Sequence, residues 1–137
     1  ITKKNPLKKN PLFSLNLRKK LCRKMINRHK KIHLKDYETK LKSRTTIALI
    51  KFLKKRKNNN IFFIIGSDNL INFHKWKSYG EILKMSNLVV FSRKGFDTKA
   101  KKSVIMKHLK RKNIKFFKNL KIDVSSTKLR SKIINGS

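Results

Sequence analysis

Apolar positions along the chain change their period several times, and each change marks an element. Leu17, Leu21 and Met25 recur every fourth residue after Ser14, a residue type that caps helix starts. This predicts a helix from Ser14 to about Lys31 with one apolar face. Ile32 to Leu34 is a short strand candidate. Ser43 is placed to cap a second helix whose inner stripe is Leu49, Ile50 and Leu53, and Asn58-Asn59-Asn60 ends it. The period then vanishes: Ile61-Phe62-Phe63-Ile64-Ile65 is one apolar run closed by Gly66. Such a run predicts a strand buried on both faces, as in a parallel sheet. A helix from Lys77 to Lys84 leads to a second buried strand, Leu88-Val89-Val90-Phe91. Thr98 to Lys112 reads as one long helix with Val104, Ile105 and Leu109 inward. Ile114 to Phe117 is a weaker strand, and Ser125 or Ser126 caps a last helix through Ile134. Strands alternating with helices predict an α/β fold, a Rossmann-like parallel sheet with helices on both faces.

Length and charge narrow the picture. The 137 residues suit a single domain, 1–137, with one core. Lys and Arg number 39 against 6 Asp and Glu, a formal net charge of +33. That charge attracts phosphates, nucleotides, nucleic acid or an acidic surface. The lysines are spread along the whole chain, so much of the charge can equally be a lysine-rich way of writing every solvated face. Cys22 is the only cysteine, which excludes a disulfide within the chain and a cysteine-built metal site. Its neighbours Leu21 and Arg23 suggest a buried structural thiol in the first helix. No apolar run is long enough to span a membrane, and no export signal stands at the start. A reduced cytoplasm is expected, with no membrane partner.

In an open parallel sheet, ligands bind beyond the carboxyl ends of the strands. Three segments fall there. Gly66-Ser67-Asp68-Asn69 comes directly after the first buried strand; the glycine admits a close ligand, and Asp68 can accept hydrogen bonds from two ribose hydroxyls or cap the next helix. Phe73-His74-Lys75-Trp76 carries the only tryptophan beside two basic residues. That pairing suits a planar anionic heterocycle, or a core tryptophan edged by surface charge. Ser125-Ser126-Thr127-Lys128-Leu129-Arg130 places hydroxyls at a helix start with a cation one turn on, which makes a phosphate site or an ordinary cap.

Taken in order and spacing, these segments resemble one family. Phe63-Ile64-Ile65-Gly66-Ser67-Asp68-Asn69-Leu70, Phe73-His74-Lys75-Trp76, Val89-Val90-Phe91-Ser92-Arg93-Lys94-Gly95-Phe96 and Val124-Ser125-Ser126-Thr127-Lys128-Leu129-Arg130 are similar to motifs of bacterial nicotinate-nucleotide adenylyltransferases. That family reads as a strand ending in G-x-D, then K-W or T-W, a strand ending in R-P-G-Y, and I-S-S-T-x-x-R. The opening Thr2 to Lys8, within a twice-written Lys-Lys-Asn-Pro-Leu, resembles the loop after the family's second strand. The resemblance implies that Gly66 and Asp68 hold the adenosine ribose of ATP. It implies that Trp76 stacks on the nicotinate ring and that Arg93 faces that ring or its carboxylate. Thr45, or Thr46 beside it, matches a threonine near the pyridine. Ser126, Thr127 and Arg130 would bind the phosphates. Lys94 stands where the family has Pro, and Phe96 where it has Tyr.

One family motif does not occur. G-x-F-D-P-x-H-x-G-H, whose histidines stabilise the triphosphate, is absent, since His29, His33, His74 and His108 have neither its spacing nor its glycine. With Ile1 as its first residue, the chain is therefore expected to be a fragment clipped at both ends, with no catalytic residue of its own and little activity by itself. The implied reaction moves AMP from ATP to nicotinate mononucleotide, releasing pyrophosphate and giving deamido-NAD for NAD biosynthesis. Mg²⁺ is expected with the ATP and no metal site in the protein. The alternative is a basic RNA-binding or ribosome-associated protein, with nucleic acid held non-specifically through the net charge.

Overall fold

The computed structural model describes residues 11–41, 43, 45–56, 60–108 and 114–118. Contacts divide the chain into two compact units, Ile1–Leu49 and Ile50–Ser137.

The first unit holds α1 (Leu15–Ile26) and the short α2 (Tyr37–Lys40), and α3 (Thr46–Arg56) begins in it. Ser14 caps α1 as expected, its hydroxyl accepting the Leu17 N–H at 3.2 Å. The expected apolar face is not the packed one. Leu17, Leu21 and Met25 are exposed, Met25 at 77%. Leu15, Arg18, Lys19, Cys22 and Ile26 are instead half-buried, and Lys19 reaches Asp36 in an ion pair. A spacing of four fixes a stripe but not the side of the helix that finds a partner. Cys22 is accordingly half-buried and not a core thiol. Ile32 to Leu34 forms no strand. Ahead of α3, the Ser43 hydroxyl accepts the Thr45 N–H at 3.3 Å and lies 3.2 Å from the Thr45 hydroxyl, so it closes a turn just before the helix. Ile47 and Ile50 are the buried residues of α3, with Leu49 and Leu53 half-buried.

The second unit is built on a sheet of β1 (Phe62–Gly66), β2 (Asn87–Phe91) and β3 (Ile114–Phe117), in that order and all parallel. The parallel α/β class read from the sequence is the one observed. Register pairs Phe63 with Leu88 and Ile114, and Ile65 with Val90 and Phe116, so these side chains share one face. Leu88 and Val90 are fully buried on it. Only β2 is buried on both faces. β1 and β3 are the edges of the described sheet, and on β1 Phe62 and Ile64 are 56% and 61% exposed. An apolar run marks a strand without saying how many neighbours it has.

Between β1 and β2 the chain forms α4 (Ser67–Leu70), a 3-10 turn at Phe73–Lys75 and α5 (Tyr79–Met85). Leu70, Phe73, Ile82 and Leu83 supply the core here. Each fully buried side chain of this size contributes about 1.5–3 kcal/mol relative to exposure. The single helix expected from Thr98 to Lys112 is two: α6 (Asp97–Lys101) and α7 (Val104–His108). The break falls at Lys102-Ser103, where the Ser103 N–H bonds back to the Ala100 carbonyl at 3.1 Å. This turn lets both Ala100 and Ile105 be buried, at 0% and 1% exposure, whereas Val104 faces solvent. The last helix lies outside the described residues. Among the described residues no helix is long and apolar enough to cross a membrane.

Candidate active site

β1 and β2 are parallel neighbours, so their carboxyl ends, Gly66 and Phe91, lie side by side. The residues just past these two ends form the site. After β1 the backbone turns at once into α4, which carries Ser67 and Asp68. After β2 come Ser92 and Arg93. The Arg93 guanidinium crosses to Asp68, Nη1 to Oδ2 at 2.7 Å, and both side chains are largely withdrawn from solvent. The other carboxylate oxygen, Oδ1, is buried and accepts no hydrogen bond. Asp68 does not cap α4, where Gly66 precedes the helix and no side-chain cap bond forms. A buried acceptor without a donor costs roughly 1–3 kcal/mol, so this oxygen is suited to a ligand hydroxyl.

Gly66 makes that carboxylate position available. A Cβ there would lie 2.5 Å from Asp68 Oδ1, closer than real Cβ atoms approach any group. An added methyl would have to displace the Asp68 carboxylate that Arg93 now holds by its other oxygen. Glycine is thus required by the carboxylate folded back over the strand end, and not by backbone torsion.

The Arg93 loop is a tight turn. The Arg93 carbonyl accepts the Phe96 N–H at 3.0 Å, and Gly95 has φ +82°, a value that favours glycine. Lys94 therefore occupies the expected proline's position without preventing the turn. Phe96, in the place of Tyr, puts its ring under the guanidinium, with Arg93 Cζ 5.9 Å from the ring centroid. Arg93 is also held by its backbone: its N–H points at Ser67 Oγ at 3.0 Å and at Asp97 Oδ1 at 2.9 Å. Asp97 further accepts the Ser92 hydroxyl. Burial pushes the Asp97 carboxyl up, and the hydroxyls of Ser92 and Ser67 with the Arg93 N–H outweigh it, leaving it below the ordinary carboxylate value.

Trp76 ends the 3-10 turn and is half-buried. Its ring meets Phe63 edge-on, centroids 6.0 Å apart, and Phe73 at 5.2 Å and 41°. The indole is therefore anchored from one side by a strand residue and a fully buried ring. The structure thus brings Gly66, Asp68 and Arg93 together, and it fixes Trp76 a short way along the same connection. Thr45 belongs to the first unit, in the turn ahead of α3. Ser126, Thr127 and Arg130 lie outside the described residues. Sequence reasoning missed Ser67, Ser92 and Asp97, which hold the loop. The signal was Asp97 itself, one of 6 acidic residues in a chain with 39 basic ones, a few positions past a strand end.

Residues 1–132 match the sequence profile of the cytidylyltransferase-like family. The chain belongs to the cytidylyltransferase-like family. A relative from Pelagibacter ubique, named probable nicotinate-nucleotide adenylyltransferase, is 42% identical over 130 residues, covering 95% of this chain and 72% of its own length. Relatives of the same name from Aquifex aeolicus and Clostridium botulinum are 33% identical over 127 residues and 36% identical over 141. These cover 89% and 93% of this chain, and 76% and 69% of their own lengths. Against an RNA-binding alternative, the cytidylyltransferase-like match runs through the strand ends that carry Asp68 and Arg93.

Proposed function

We propose that this chain supplies the substrate-binding part of a nicotinate-nucleotide adenylyltransferase, the cytoplasmic activity that moves AMP from ATP to nicotinate mononucleotide with release of pyrophosphate and formation of deamido-NAD. The observation that carries this is the Asp68 carboxylate, clasped on one oxygen by Arg93 and unpartnered on the other, beside Gly66. Oδ1 accepts an adenosine ribose hydroxyl. Arg93 neutralises Asp68, so the carboxylate does not repel incoming phosphates, and it supplies positive charge toward the nicotinate carboxylate. Trp76 takes the pyridine ring. Ser126, Thr127 and Arg130 bind ATP phosphates.

In the reaction a phosphate oxygen of the mononucleotide bonds to the α-phosphorus of ATP as the bond to the pyrophosphate oxygen breaks. The nucleophile is already an anion, so no general base is needed. The protein's share is alignment and neutralisation of charge. Mg²⁺ would arrive with the ATP as part of the substrate and add positive charge at its phosphates.

Trp76 is the only tryptophan, which makes its emission a direct probe. Nicotinate mononucleotide should quench it on binding, and ATP should compete with adenosine analogues without matching that quench. Unchanged emission at saturating mononucleotide would remove Trp76 from the site.

A further inference from the structure

Asp97 is used by none of the substrate contacts above, yet groups from the ends of both β1 and β2 gather around it. Its Oδ1 accepts the Arg93 N–H at 2.9 Å, and its other oxygen accepts the Ser92 hydroxyl. The same Arg93 N–H is shared with Ser67 Oγ at 3.0 Å. Ser67 is fully buried and sits between Gly66 and Asp68. The carboxylate at the start of α6 thus fixes where the chain leaves β2 relative to where it leaves β1. Arg93 needs that fix, because its backbone sets the base from which its guanidinium reaches Asp68.

We propose that Asp97 is a positioning residue for substrate binding, acting through Arg93 to hold the Asp68–Arg93 pair in register across the ends of β1 and β2. This rests on the reading of that pair as the binding site. Its content is different: a residue that touches no substrate controls how well the pair meets one. A charged acceptor is suited to the task, since hydrogen bonds to an ionised partner are shorter and about twice as strong as neutral ones. The Arg93-Lys94-Gly95-Phe96 turn ends one residue before Asp97, so the loop is tied at its base and cannot swing as a unit.

The test uses the full chain with Asp97→Ala, Asp97→Asn and Arg93→Ala, each alone, and Asp97→Ala combined with Arg93→Ala. Lys99→Ala, an exposed position on the same helix, is the control. Nicotinate mononucleotide affinity is read from Trp76 emission. Asp97→Ala should weaken binding about tenfold, the size of one misplaced charge-assisted contact. Asp97→Asn should recover most of it, because the amide oxygen still accepts the Arg93 N–H and its NH₂ can donate to Ser92. In the Arg93→Ala background the Asp97 change should cost nothing more. An equal fold-loss in both backgrounds, or no loss at all, would overturn the proposal. A chain that binds no mononucleotide refutes the functional reading and leaves this one to thermal midpoints. There the Asp97→Ala and Arg93→Ala shifts should be less than additive, and additive shifts would overturn it.

Discussion

At the scale of single residues, the site depends on small groups placed where larger ones would fit a generic strand end. Gly66→Ala puts a methyl where Asp68 Oδ1 now lies, 2.5 Å from the Cβ. It should destabilise the chain by about 1–3 kcal/mol, read by urea denaturation, because the carboxylate must shift and strain its pairing with Arg93 to make room. Acid should act on Asp97 in a defined direction. Its folded carboxyl lies below the ordinary 3.8, so its stabilising contribution is complete above that value and fades as pH falls through the lowered one. Thermal midpoints taken from about pH 5 down to pH 2 should drop, and Asp97→Asn should flatten part of that slope. A slope unchanged by Asp97→Asn would mean that the carboxylate gains nothing from Ser92, Ser67 and Arg93. That Gly66, Asp68 and Arg93 stand at strand ends was legible in the sequence because each apolar run and the turn after it are local. Asp97 was not, because its role appears only when Ser67 and Ser92 approach it from the ends of two different strands.

Elements were legible wherever the pattern reports on the chain itself, and illegible wherever it depends on a neighbour. Ser14 caps α1 because a hydroxyl and an N–H three residues on need nothing else. The face that α1 packs is another matter: Leu17 and Leu21 promised it, and Leu15 and Ile26 occupy it. Likewise β1 and β2 are both apolar runs, and only their places in the sheet decide that Val89 is buried and Ile64 is not. The connection from β1 to α5 depends on one ring. Phe73 is fully buried, with Phe63 and Trp76 rings at 6.5 and 5.2 Å. Phe73→Ala should cost about 3–5 kcal/mol and shift Trp76 emission to the red as water reaches the indole. A wild-type emission maximum in a folded Phe73→Ala chain would show that Trp76 is held by something other than this cluster.

For the molecule as a whole, +33 of net charge on 137 residues is the governing quantity. Like charges repel in the compact state more than in the expanded one, so the folded chain is strained by its own lysines. Salt screens this over about 10 Å at 0.1 M, so the thermal midpoint should rise between low salt and about 0.3 M salt. ATP should stabilise most at low salt, where it also neutralises charge. A midpoint indifferent to salt would indicate that the lysines are spaced widely enough to ignore one another. The exposed ion pair of Lys51 and Glu81, 2.6 Å apart, adds little against this background.

The register of the sheet has a consequence for synthesis. Phe62 pairs with Asn87, and Leu88 with Ile114. Both ladders among the described residues join positions far apart in the sequence, with no hairpin there to offer a local start. On a ribosome, β1 emerges before β2, and its apolar run must wait for the whole α4 to α5 connection before that neighbour arrives. Loop closure precedes reward, which makes such sheets slow to form and open to aggregation meanwhile. Mutual repulsion at a net charge of +33 opposes association of such unfinished chains.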